Sequence, residues 1–332
     1  MKEKIQELLQ YVAAQCQGHR AFIQIQVDNQ YYTKRVGDMN DLIDHPDIVV
    51  KEATASFIGW MEEQWRARTM AYRTRLNHRS CIRLLRKWNE GLTFGDLTSE
   101  SVQAFDRWMS ERHYKTNTIS KVMGIWRLYV RMAMDEDLIV RDPFRRYKMR
   151  SEATHKEALT ERDVRKVEER VESLEGKERE VARGFLFSVY TGLRYSDVCT
   201  ISREHIRKHG CHQWLDVRMR KTGGNVRVPL DTMFGGKALG LLHQGRGRQF
   251  ALPPNAQTNL ILSRIMRRCG IRKHITMHCG RVTCATLCLS KGVPITTIQR
   301  VLGHRDVTTT ARVYAHLTDA TMIKDVKRAW RI

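Results

Sequence analysis

The chain has 332 residues, with 58 Lys and Arg against 36 Asp and Glu, for a formal net charge of +22. That length fits two or three domains and 42% hydrophobic residues suffice for packed cores, which excludes a single small binding module. The cationic excess argues for a polyanionic partner, and no run approaches the ~18 uninterrupted apolar residues of a membrane span.

Charge is uneven along the chain. Residues 1–50 hold 5 basic and 7 acidic residues, 51–152 hold 20 and 13, and 153–332 hold 33 and 16. A nucleic-acid partner would therefore meet mainly residues 51–332. The opening MKEKIQELLQ mixes charges and has no apolar signal core, so a cytoplasmic location is expected.

Ile5, Leu8, Leu9 and Val12 give a helix-like start. Apolar and polar residues then alternate up to Val27, and Asp28-Asn29-Gln30 turns the chain into a second strand, Tyr31 to Val36. A helix-plus-hairpin appendage over 1–50 is expected. It could be an accessory DNA-binding arm, but its net negative charge favours packing or protein contact.

Residues 51–148 read as a helical domain with four apolar stripes: Phe57 to Trp65, Ile82 to Trp88, Val102 to Met109, and Ile119 to Met134. Thr98 or Ser99, and Asn117 or Thr118, are the expected caps of the last two. Arg66, Arg68, Arg73, Arg75, Arg79, Arg83, Arg86 and Lys87 lie in a run with no acid from Arg66 to Trp88. Such a run is either a solvated face or a phosphate-contacting one, and these eight are the candidate DNA-binding residues. Pro143 disfavours helix before it, and the polar stretch that follows is expected to be extended, with a linker at 149–158.

From residue 159 a third pattern sets in. Thr160 with Asp163 opens a helix, and the apolar run Val181–Tyr190 ends at Thr191-Gly192. Trp214–Val217 and Val226–Val228 flank Lys221-Thr-Gly-Gly224 as a hairpin, and helices resume by Leu260 and continue to the end. Eight cysteines, at 16, 81, 199, 211, 269, 279, 284 and 288, show no CxxC pair and read as reduced thiols. Cys279, Cys284 and Cys288 near His274 and His278 lack the short paired spacing of zinc sites, so buried helix cysteines are expected and no metal.

Three segments of this last region carry candidate chemistry. Thr191-Gly-Leu-Arg194-Tyr-Ser-Asp197 sets a guanidinium after a helix-terminating glycine, with an acid three positions on to orient it. Thr276-Met-His278-Cys-Gly-Arg281 puts a His and an Arg on one helix face. Leu302-Gly-His304 precedes Tyr314 by a stretch that a short helix would fold back. Taken singly, each has a bland reading: a surface Arg–Asp pair, a satisfied helix His and Arg, a tyrosine anchored in a core.

Together, in this order and spacing, they resemble the catalytic domain of the tyrosine recombinases, the phage integrase family, over about residues 160–325. Residues 51–150 are more loosely similar to that family's helical core-binding domain, with the stretch from Asn117-Thr-Ile-Ser120 to Asp142-Pro-Phe144 as its typical ending, and residues 1–50 match nothing. The resemblance implies a mainly α fold with a small β-sheet: a helical core-type domain plus an α+β catalytic domain at 159–332, clamped on DNA. It makes Arg194 and Arg281 the phosphate-clamping arginines and His278 and His304 their companions. Tyr314 becomes the nucleophile, Lys221 the mobile lysine on its hairpin, and Asp197 an acidic support behind them.

The physical chemistry agrees with those roles. A tyrosine hydroxyl with reference pKa ~10 needs surrounding cations to ionise at neutral pH. Attack on a phosphodiester gathers negative charge on its oxygens, where losing one fixed donor typically costs about 3–4 kcal/mol. Lys221 can protonate the departing 5′ oxygen, leaving a 3′-phosphotyrosyl bond that a 5′ hydroxyl from another strand can attack, with no cofactor and no ATP.

The resemblance further implies double-stranded DNA as substrate, a homotetramer on two recombining sites, a Holliday-junction intermediate, and an accessory DNA-bending protein as an optional partner. An integrase of a mobile element is the first expectation for the biology. A type IB topoisomerase-like relaxing enzyme and a non-catalytic DNA-binding regulator on the same scaffold are the alternatives. Met322, Ile323, Val326 and Trp330 form an apolar stripe in the tail, expected to dock on a neighbouring subunit rather than on its own domain.

Overall fold

The computed structural model describes residues 55–152, 157–245, 247–304 and 327, together with the backbone of 21–27, 30–36 and 49–52. The chain divides into two compact units, Met1–Ala153 and Thr154–Ile332.

The first described elements of the first unit are three antiparallel strands, β1 (Ala21–Val27), β2 (Gln30–Val36) and β3 (Val49–Glu52), in the order β1-β2-β3. The register pairs Val27 with Gln30, and the turn expected at Asp28-Asn29 lies outside the described residues. The third strand is an addition to the expected hairpin and lies across the expected boundary at residue 50, because its pairing with β2 is a long-range contact that alternation alone does not reveal. The helix expected at Ile5–Val12 lies outside the described residues.

Four helices follow: α1 (Phe57–Ala67), α2 (Tyr72–Trp88), α3 (Ser99–Glu111) and α4 (Thr116–Asp135). Ser56 caps α1 by accepting from Gly59 N, and Thr98 with Ser101 forms a capping box on α3. Their apolar faces enclose an aromatic core in which Trp126 touches Trp88, Phe105 and Phe144 edge-on or tilted.

Asn117 is not the cap of α4, whose N-cap is Lys115. Its amide donates to the Glu152 carbonyl at 2.8 Å and accepts from the Glu152 N–H at 3.1 Å, the pairing a neighbouring strand would make. Tyr147 Oη donates to Asp106 at 3.0 Å, Arg150 pairs with the same carboxylate, and Ser120 Oγ donates to the Arg150 carbonyl. Residues 147–152 are therefore strapped to the helices, so the first part of the expected 149–158 linker is held by side-chain contacts.

The second unit begins with α5 (Glu161–Val171), opened by the Thr160/Asp163 capping box, and α6 (Gly176–Thr191), buried throughout its last three turns. The single-turn α7 (Tyr195–Val198) follows. A sheet of β4 (Ile206–His209), β5 (His212–Arg218) and β6 (Asn225–Pro229) is antiparallel in that order, adding one strand to the expected hairpin. The short α8 (Lys237–Gly240), α9 (Asn255–Arg268), α10 (Met277–Ser290) and α11 (Ile295–Leu302) follow among the described residues. Helices α5, α6, α9 and α10 and the inner face of the sheet share one core. No helix of the described residues is long and apolar enough to cross a membrane.

Candidate active site

The three motifs converge at the end of α6. The helix stops because Gly192 adopts φ 71°, ψ 7°, a left-handed turn open to glycine at little cost, and a Cβ there would lie 2.6 Å from Leu302 Cδ2. Ser188 Oγ ties the turn by donating to the Leu193 carbonyl at 2.7 Å. Arg194 is thereby set at the N-cap of α7, half-buried, with Nη1 3.6 Å from Met219 Sδ.

Asp197 is fully buried but forms no ion pair with Arg194 among the described residues. Its Oδ1 accepts from the backbone N–H of Arg220 at 3.0 Å, and its Oδ2 has no hydrogen-bond partner among the described residues. The guanidinium-orienting contact expected of Asp197 is thus replaced by a tether to the hairpin turn, while its charge still favours the protonated forms of Arg194 and Arg281.

Helix α10 starts at a Thr276/Cys279 capping box and approaches α6 closely at Gly280, where a Cβ would sit 3.0 Å from Ser188 Oγ. One turn in, Arg281 is 3% exposed. Its Nη1 donates to the Gly192 carbonyl at 2.9 Å and its Nη2 to the Leu302 carbonyl at 2.6 Å. Burial first, and repulsion from Arg194 second, push its pKa down to about 9, so it remains a cation at neutral pH. Two of its five N–H groups are used in this way among the described residues. His278, on the first turn of the same helix, is exposed.

Helix α11 ends at Gly303, also left-handed at φ 61°, where a Cβ would fall 2.4 Å from Val226 Cγ2. His304 follows, its N–H donating to the Gln299 carbonyl at 3.1 Å. Burial, then the nearby charges of Arg281 and Arg194, push its pKa down to about 4, so the imidazole is neutral at physiological pH.

Across from these, Met219 N donates to the Gly224 carbonyl and Gly223 N to the Met219 carbonyl, closing the β5–β6 turn that presents Lys221 to solvent. Arg194, Arg281 and His304 share one electrostatic neighbourhood, and the Lys221 turn is held beside it through Met219 and Asp197. Tyr314, and the tail stripe from Met322 to Trp330, lie outside the described residues. The main-chain acceptors Gly192 and Leu302 carry no side-chain signal; their only trace in the sequence is the glycine at or beside each.

Among the described residues no group of three or more His, Cys, Asp or Glu side chains is placed to hold a metal ion. Cys279, Cys284 and Cys288 are buried on α10. On the first unit, α2 turns Cys81, Ile82, Leu84 and Leu85 inward and leaves Arg73, Arg79, Arg83 and Lys87 exposed. Glu62, just outside the acid-free run, pairs with Arg86 at 2.8 Å and Arg66 at 3.7 Å. Arg75 stacks 4.6 Å over Trp65 and donates to the Arg68 carbonyl, and Arg68 Nη1 reaches Met132 Sδ.

The phage integrase family model matches residues 157–321, and the phage integrase SAM-like domain model matches 56–149. A tyrosine recombinase of Pseudothermotoga lettingae is 30% identical over 138 residues, which is 39% of this chain and 47% of that protein. Tyrosine recombinase XerD of Listeria monocytogenes is 41% identical over 66 residues, 20% of this chain and 22% of that one. The chain thus matches about half the length of the first relative and less of the second. A lambda integrase dimer bound to a COC′ core site shares the fold, with TM-score 0.66 and 17% identity over 79% of this chain and 96% of that one. So do a lambda integrase tetramer bound to a Holliday junction, at 0.65 and 18% over 79% and 78%, and the Tn1549 transposon integrase, at 0.63 and 16% over 82% and 99%.

Proposed function

This chain belongs to the phage integrase family, and from that premise we propose that it is a site-specific DNA recombinase cutting and rejoining DNA through a 3′-phosphotyrosyl intermediate. The seating of Arg281 carries the reading: one guanidinium bonded to the carbonyls of Gly192 and Leu302 draws the TGLR and LGH segments onto the HxxR helix. A surface arginine needs no such support.

In this reading the scissile phosphate lies against Arg194 and Arg281, whose remaining N–H groups meet the charge that grows on its nonbridging oxygens. Neutral His304 donates a further hydrogen bond without adding charge, and His278 approaches from the exposed end of α10. The cationic surroundings lower the cost of ionising Tyr314, which attacks phosphorus as the 5′ oxygen departs with a proton from Lys221. The ester bond retained on tyrosine then receives a 5′ hydroxyl of the partner strand.

The same proposal assigns 51–148 to core-type DNA binding through Arg66, Arg68, Arg73, Arg75, Arg79, Arg83, Arg86 and Lys87, 149–158 to the linker, and 159–332 to catalysis. Residues 1–50 are an appendage. Double-stranded DNA is the substrate, a homotetramer on two sites passes through a Holliday junction, an accessory DNA-bending protein is an optional partner, and the reaction takes place in the cytoplasm.

Labelled duplexes carrying the short repeats that flank the gene test this. Wild type should yield a detergent-stable protein–DNA adduct and exchange strands between two sites, and Tyr314→Phe should yield neither. An adduct that survives Tyr314→Phe, no adduct from wild type, or relaxation without exchange would overturn the proposal.

A further inference from the structure

We infer that Cys284 and Cys288 form an oxidisable dithiol, open to low-molecular-weight disulfides, whose closure to an intrahelical disulfide unseats Arg281. The two lie one turn apart on α10, both buried and both free thiols. Four residues along a helix separate Cα atoms by about 6 Å, inside the disulfide range of about 4.4–6.8 Å. Both sulfur-bearing residues line a cavity of about 850 Å3, bordered by Ile298, Gly303 and His304, which gives a small reagent a path. Cys279, on the same helix, is occupied elsewhere, donating to the His274 carbonyl at 3.8 Å.

Cys284 is part of the seat of Arg281. A Cβ on Gly192 would lie 3.4 Å from its sulfur, and Leu302 packs in the same apolar cluster with Cys284 and Cys288. These are the two residues whose carbonyls hold Nη1 and Nη2. One-turn helical neighbours keep Cβ atoms about 5–6 Å apart, whereas a disulfide wants about 3.5–4.5 Å, so closing the bond pulls the turn together by about 1–2 Å. Cys284 is drawn off Gly192 and Leu302 just where tolerance is least. The same strain makes the bond easy to reduce, and so reversible.

Cys288 is the first to react. It is the less buried of the pair, and the neighbouring Cys284 lowers its thiol pKa. Its thiolate attacks one sulfur of the external disulfide, that S–S bond breaks, and one thiol departs with a proton from solvent. Cys284 then attacks the Cys288 sulfur, and its proton passes to the second thiol as that thiol departs. Two protein thiols lose two electrons and two protons, and the external disulfide is reduced to two thiols.

The consequence for cleavage rests on the recombinase reading; the chemistry of the pair does not. The test exposes the reduced full chain to glutathione disulfide and follows three quantities: the Cys284–Cys288 link by peptide mapping, amide exchange at 192–194 and 302–304, and adduct formation on DNA. Wild type should form the link, exchange faster at both segments, and lose cleavage by about 100-fold, as for one lost oxyanion donor, with recovery on adding dithiothreitol. Cys288→Ala should cleave normally and resist oxidation, with Cys284→Ala as an independent check on the link. No link, a link with unchanged exchange, or equal loss in Cys288→Ala overturns the inference. Should the reduced protein make no adduct at all, the recombinase reading falls, while link and exchange still decide the dithiol.

Discussion

The helical unit and the unit with the candidate site treat positive charge in opposite ways. In the first, His78 is the one buried polar or charged side chain among the described residues, bonded to Tyr129 Oη at 2.9 Å, and the arginines stand outside an aromatic core. In the second, Arg183, Arg281, Asp197 and Gln249 lie inside together with Ser188, Thr191, Thr258 and Thr283. An apolar core asks only for shape, so cations around it stay solvated, adjustable and screened by salt. A core enclosing a guanidinium has to fix acceptors for it, and that rigidity holds the charge where a reacting phosphate would need it.

The sharpest attack on this contrast is Arg281→Ala. It should lower adduct formation by about 100- to 1000-fold and leave site binding nearly intact, because the loss falls on the transition state. Orphaning the Gly192 and Leu302 carbonyls should cost about 1–3 kcal/mol each in denaturant unfolding. Normal cleavage by this variant would erase the distinction between the units.

Acid provides an intermediate perturbation. The pKa of His304 is lowered, so an unfolded histidine takes up a proton below about pH 6.5 while the folded one stays neutral until about pH 4. Stability should be complete above that window and decline as pH falls through it, and His304→Gln should flatten the decline in denaturant midpoints. An unchanged slope in that variant would mean that other groups carry the acid sensitivity, among them His78, which burial also lowers.

The mildest change is on the outer face. Arg79→Ala or Arg83→Ala should shift stability by no more than about 0.5 kcal/mol and reduce the slope of log affinity against log salt by about one for each phosphate left without its cation. A flat salt dependence would show that this face does not meet DNA, and the contrast would then be one of packing alone.

Local rules made much of this fold legible. Thr160 and Asp163 mark a helix start, Gly192 a helix end, and Lys221-Thr-Gly-Gly224 a hairpin turn because each is settled within a few residues. The order of motifs singled out Arg194, Arg281 and His304, three residues that the fold brings together. What stayed hidden depends on distant partners: β3 beside β2, β4 beside β5, Glu62 reaching Arg86, and Asn117 clasping Glu152 35 positions away. Asp197 is the instructive case. Spacing suggested Arg194 as its partner, but a buried carboxylate took the backbone N–H that the hairpin brought within reach.

Gly303 and Val226 meet with no clearance for even one methyl group. A contact without play passes motion on, so a tilt of the lysine-bearing hairpin displaces the Gly303-His304 segment. Lys221 and His304 cannot be re-aimed separately. Reshaping the 219–224 turn would meet its constraint at Gly303, where α11 ends, and a change there would have to accompany it.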